Sequence, residues 1–160
     1  MNRLIIAITI CAAVAAGSAS ADAPDLSKVN GSLTAEAGKT YGSIDTVNGS
    51  ITVEEKAVTR SVETVNGSIT IEALARVGGV STVNGRIVLR NGAGAKSVET
   101  VNGSIIGVSN LRIEKGVEAV NGSIEIGAGS IVGGNVETVN GGITLLSMKV
   151  SGNVETVNGN

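Results

Sequence analysis

The stretch Ser61–Glu72, SVETVNGSITIE, alternates apolar and polar residues on both sides of Asn66-Gly67. Alone it reads as a β-hairpin with an Asn-Gly turn. The same words recur, however, with the Asn of each Val-Asn-Gly at Asn30, Asn48, Asn66, Asn84, Asn102, Asn121, Asn140 and Asn158, at intervals of 18, 18, 18, 18, 19, 19 and 18 residues. A fixed short period marks a repeat architecture, because a unit this small cannot bury its apolar face alone.

Working outward from Asn as position 1, the next position is Gly49, Gly67, Gly85, Gly103, Gly122 and Gly141. Position 4 holds Leu33, Ile51, Ile69, Ile87, Ile105, Ile124 and Ile143, and position 6 holds Ala35, Val53, Ile71, Leu89, Gly107, Ile126 and Leu145. Before the Asn, position 15 is Ile44, Val62, Val80, Val98, Val117, Val136 and Val154, and Thr recurs two residues later except at Ala119. Period-2 alternation with β-branched residues in the inward slots specifies strands. Stacking one unit per coil at the ~4.8 Å inter-strand spacing places like over like. The expectation is an all-β fold: a single β-solenoid of about seven coils with an Asn-Gly corner ladder, over residues 30–160, its hand left open. The corner is expected because Asn and Gly tolerate positive φ, Gly has no Cβ to strike the adjacent coil, and stacked Asn amides can bond from coil to coil. The 19-residue units place their extra residue in the variable half. Repeated antiparallel hairpins bury the same residues and remain the alternative.

The ends set the context. Residues 1–21 carry Arg3, an apolar run from Leu4 to Ala16 and the small residues Ala19-Ser20-Ala21, which read as a cleaved signal peptide. Cys11, the single cysteine, lies inside that run after Ile10, so lipid attachment is not expected and the mature chain holds no disulfide. Export to the periplasm, the cell surface or the medium follows, with no membrane span after cleavage, since no later stretch approaches ~18 apolar residues. Residues 22–29, with Pro24, are expected to act as a cap or linker. The chain stops at Asn158-Gly159-Asn160 as an arch begins. From this the expectation is self-association through the C-terminal coil, or a sequence shorter than its natural gene product.

Composition excludes several classes. The whole chain has 12 basic and 14 acidic residues, Tyr41 as its single aromatic residue and no His. Nucleic-acid binding is not expected, because Lys39, Arg60, Arg76, Lys96, Arg112, Lys115 and Lys149 scatter over the variable half without stacking rings, as solvated loop residues do. Calcium-binding nonapeptides need recurring Asp, and the mature chain has only Asp22, Asp25 and Asp45. Position 16 carries Asp45, Glu63, Ser81, Glu99, Glu118, Glu137 and Glu155, and position 7 carries Glu36, Glu54, Glu72 and Arg90. Paired carboxylates could cleave glycosidic bonds, but these acids are the repeat itself, as on a solvated outer face. No catalytic, cofactor-binding or metal-binding residues are nominated. An ice-binding Thr face is disfavoured, since the alternation points the Thr column inward.

The recurring VETVNGSI and its relatives, from about Val29 to Asn160, resemble the bacterial adhesin-like β-repeat family, which includes the head domains called GIN and related secreted proteins of unknown function. The resemblance implies a β-solenoid of the cell envelope and no catalytic residues. The expected function is that of an exported, non-enzymatic, adhesin-like surface or periplasmic interaction or structural module. Its partner is expected to be a protein or glycan surface ligand. The alternatives are a polysaccharide-acting enzyme on a β-helix scaffold and a polymer-forming scaffold.

Overall fold

The structure, a computed structural model, describes residues 23–159, so the expected signal peptide lies outside the described residues. One coil shows the whole logic. The strand Val58–Asn66 runs into the arch at Gly67-Ser68, the short strand Ile69–Ile71 follows, the chain turns at Glu72–Ala75, and Arg76–Asn84 begins the next coil. Ile69, Ile71, Ala75, Val77, Val80 and Thr82 all point inward and are buried. Val77 and Val80 lie three residues apart, so the long strand breaks its alternation and bends, which gives the coil a third side.

Each strand pairs with its counterpart one coil away, and every pairing is parallel. Val62 faces Val80 and Asn66 faces Asn84, while across the arch Ile69 faces Ile87. The described strands form two sheets, an 11-stranded sheet and a 7-stranded one whose order runs from Ile143–Leu145 back to Leu33–Ala35. This is a β-solenoid of about seven coils, roughly 34 Å long at the inter-strand spacing. The antiparallel-hairpin alternative is overturned, because the strands flanking each Asn-Gly belong to different sheets and pair with neighbouring coils rather than with each other. The stack begins with Leu26–Asn30, which pairs with Thr40–Asn48, so part of the expected cap is already strand. The residues before it do cover the first long strand: the Pro24 carbonyl accepts from the Gly42 amide, and the Asp25 carboxylate accepts from the Ser43 amide at 2.7 Å.

The Asn ladder is complete among the described residues. Asn48 Nδ2 donates to Asn30 Oδ1, and the bond repeats through Asn66, Asn84, Asn102, Asn121, Asn140 and Asn158 at 2.8–3.0 Å. The reason for Gly beside it needs correction. Of the arch residues only Gly31 has positive φ, at 118°; the left-handed residue of each coil lies at the opposite turn, at Gly38, Lys56, Leu74, Gly92, Asn110, Gly129 and Ser147. Glycine is required at the arch by contact instead. A Cβ on Gly85 would stand 1.9 Å from the Gly67 carbonyl oxygen, and the same conflict recurs along the column.

That carbonyl also receives the buried Thr column. Thr64, Thr82 and Thr138 hydroxyls donate to Gly49, Gly67 and Gly122 oxygens at 3.0–3.2 Å, which disposes of an ice-facing role. Ala119, in register between Thr100 and Thr138, interrupts the column. Ala119→Thr is expected to stabilise the fold by about 1 kcal/mol by supplying a donor for the Gly103 carbonyl. Urea unfolding checks it, and a lowered midpoint would show that the site lacks room.

The interior adjusts by exchange of volume within a coil. Gly107 takes a slot held in other coils by Ala, Val, Ile or Leu because Leu111 replaces the small residue of the next column; a Cβ on Gly107 would lie 2.4 Å from Leu111 Cδ1. Such volume-conserving swaps keep the core filled. The extra residue of the 19-residue units widens the bend between Ile113 and Val117 and again between Val132 and Val136, splitting the long strand in two. The last coil keeps this wide bend from Val150 to Val154 but loses a residue between Leu145 and Met148, which restores its length of 18.

Candidate functional site

The solenoid offers outward columns rather than a cleft. On the VETVN face, Asp45, Glu63, Ser81, Glu99, Glu118, Glu137 and Glu155 form one in-register row of half-buried residues, the last exposed. Partial burial raises the Asp45, Glu63 and Glu118 carboxyls above the ordinary range. The neighbouring carboxylates add to this: Asp25 for Asp45, Asp45 and Glu99 for Glu63, Glu99 and Glu137 for Glu118. A raised folded-state value means that ionisation opposes folding. Ionised Asp45, Glu63 and Glu118 therefore lower stability at neutral pH, and this cost disappears as pH falls through the raised values toward the unfolded ones. The melting temperature is expected to be higher at about pH 5 than at about pH 8. A melting temperature that rises steadily from about pH 5 to about pH 8 would contradict it.

The position-7 acids serve local structure. Glu54 accepts the Ala37 amide at 3.0 Å, and Arg90 Nε lies 3.8 Å from Glu72. Among the described residues no group of three or more acidic, Cys or His side chains gathers as a metal cluster would require. No helix there is long and apolar enough to cross a membrane.

The basic residues were expected in loops without order, and this is where the structure differs most. Two outward columns of the third side carry five of the seven, Arg60, Arg76, Lys96, Arg112 and Lys149, while Lys39 and Lys115 lie at turns. One column reads Thr40, Val58, Arg76, Gly94, Arg112, Ile131 and Lys149 in register. In the other, two residues further along each coil, Arg60 and Lys96 alternate with Gly42 and Gly78. Cations thus occupy every second coil of the first column from Arg76 to Lys149, and Arg60 and Lys96 stand two coils apart in the second, offset by one coil from the first. This spacing of ~9.6 Å within a column avoids the like-charge stacking seen in the acidic row. Arg60, Arg76, Lys96 and Arg112 are exposed, and none forms an ion pair among the described residues.

Between Arg76 and Arg112 the missing side chain of Gly94 leaves an open groove of about 430 Å³, floored by Val77, Ala95 and Ile113 and edged by Glu114. Arg76 Nη1 leans over it, 3.7 Å from where a Gly94 Cβ would stand. The signal was present in the sequence as a 36-residue spacing, Arg60 to Lys96 and Arg76 to Arg112, two coils rather than one. Comparison with protein-family models, curated proteins and solved structures finds no match to this chain.

Proposed function

We propose that the chain is an exported, non-enzymatic β-solenoid that works as an adhesin-like interaction module in the periplasm or at the cell surface. Its side bearing Arg60, Arg76, Lys96 and Arg112 grips an acidic glycan or an acidic protein surface. The observation that carries this reading is the offset array of unpaired cations on a rigid sheet, with the Gly94 groove set among them. Parallel ladders hold the array at fixed spacing, so little ordering is required on binding. The acidic row argues little for hydrolysis, since it runs along an outer sheet face with a carboxylate recurring from Asp45 to Glu155 on every coil but that of Ser81.

Immobilised polyuronate and a neutral glucan provide the test. Binding to the acidic polymer is expected, lost at about 1 M salt as screening shortens the reach of charge, and weakened at least about tenfold by Arg76→Gln with Arg112→Gln. Equal binding by that double variant, or equal binding to the neutral polymer, would refute the assignment of the face. New reducing ends from either polymer would point to the enzymatic alternative, and recovery of the chain with residues 1–21 intact in the cytoplasm would rule out export.

A further inference from the structure

We propose that the Asn-Gly arches are latent self-modification sites, held silent by the stack and released when a coil opens. In an Asn-Gly pair the Gly backbone nitrogen can attack the Asn side-chain Cγ. The new N–Cγ bond forms, the Cγ–Nδ2 bond breaks, and Nδ2 departs as ammonia with the proton lost by the Gly amide. Water then opens the succinimide at one carbonyl or the other, leaving Asp or isoaspartate. No oxidant or cofactor takes part, and the absent Gly side chain leaves the approach unhindered.

The folded chain ties down both reacting groups, in opposite directions. From Gly31 to Gly141 each arch Gly amide donates to the Asn carbonyl of the following coil, as Gly67 does to Asn84 at 3.1 Å and Gly85 to Asn102 at 3.1 Å. Each Asn Nδ2 donates to the Asn Oδ1 of the preceding coil, as Asn66 does to Asn48 at 2.9 Å. From Asn48 to Asn140 every side chain is also an acceptor for the next. Cyclisation at one arch therefore requires its coil to part from both neighbours.

The product cannot return to the ladder. Asp brings no donor for the preceding Oδ1 and sets a carboxylate against it. Isoaspartate adds a methylene to the backbone, which displaces the residues beyond the arch from their inward and outward slots. An opening event is thereby recorded in the covalent chain and becomes irreversible.

Mass spectrometry of the full chain, incubated at mildly alkaline pH folded or in urea, tests this. Modification at the arches from Asn48 to Asn140 is expected to be at least about a hundredfold slower in the folded chain, because the rate follows the open population. Ile69→Ala should speed it at Asn66 by about tenfold or more. Should that variant not fold, wild type at urea concentrations below its midpoint gives the same reading through a rate that climbs with urea. Equal rates in folded and unfolded chains, or a rate flat with urea, would overturn the gating. Asn84→Asp imitates the product and should unfold at lower urea than wild type; an unchanged midpoint would overturn the trapping.

Discussion

Replacing Ile69 by Ala is expected to cost ~2–5 kcal/mol of stability. Ile69 is fully buried in the fourth-position column between Ile51 and Ile87. Truncation removes apolar contacts and leaves a cavity that the ladders hold open, since both neighbouring coils are fixed by backbone bonds. At roughly 3 °C per kcal/mol for a domain of this size, the melting temperature should fall by about 10 °C. Glu63→Gln, six residues earlier but outward, should be nearly neutral or slightly stabilising, because it removes a charge that burial and the carboxylates of Asp45 and Glu99 disfavour. Chemical denaturation of both variants checks the contrast, and similar losses at the two sites would reverse the inward and outward assignments.

Gly85→Ala is expected to be as damaging, by ~3 kcal/mol or more, through overpacking rather than a cavity. The added methyl would meet the Gly67 carbonyl oxygen at 1.9 Å, a backbone atom that already accepts from Thr82. Neither partner can withdraw without parting two coils. Gly79 provides the control: a Cβ there meets nothing closer than Ser97 Oγ at 3.8 Å, and its φ is not in the left-handed region. Gly79→Ala should stabilise by about 0.5 kcal/mol, by reducing the freedom of the unfolded chain. Urea midpoints displaced in opposite directions are the expected result; equal displacements would show that chain entropy, not the carbonyl contact, selects glycine at the arch.

The columns legible in the sequence are those where one residue type meets every structural demand. Asn pairs only with Asn along its ladder, and the narrow interior near the arch takes Ile or Val at every coil but that of Leu33, so period and chemistry coincide. The third side obeys a weaker rule. Its inward column runs Tyr41, Thr59, Val77, Ala95, Ile113, Val132 and Val150, because volume is balanced within a coil rather than repeated between coils. Thr59 Oγ1 is even buried there without a hydrogen-bond partner among the described residues. Its outward cations repeat every second coil, and a search at the one-coil period sees them as scatter. At the arch, contact with the adjacent coil selects glycine, whereas positive φ belongs, Gly31 apart, to the opposite turn, where Lys56 and Leu74 adopt it without being glycine.

The in-register parallel stack underlies all of this, and one pair of cross-links tests it most directly. In a chain carrying Cys11→Ser, Glu63→Cys with Ser81→Cys places two thiols on facing residues of adjacent coils, at a Cα separation of ~4.8 Å that a disulfide can span. Glu63→Cys with Thr70→Cys instead joins the residues that an Asn66-Gly67 hairpin would set opposite each other, and the solenoid puts them in different sheets. Under mild oxidation the first pair is expected to close to an intramolecular disulfide while the second stays reduced. Closure of the second pair with the first left open would contradict the stack.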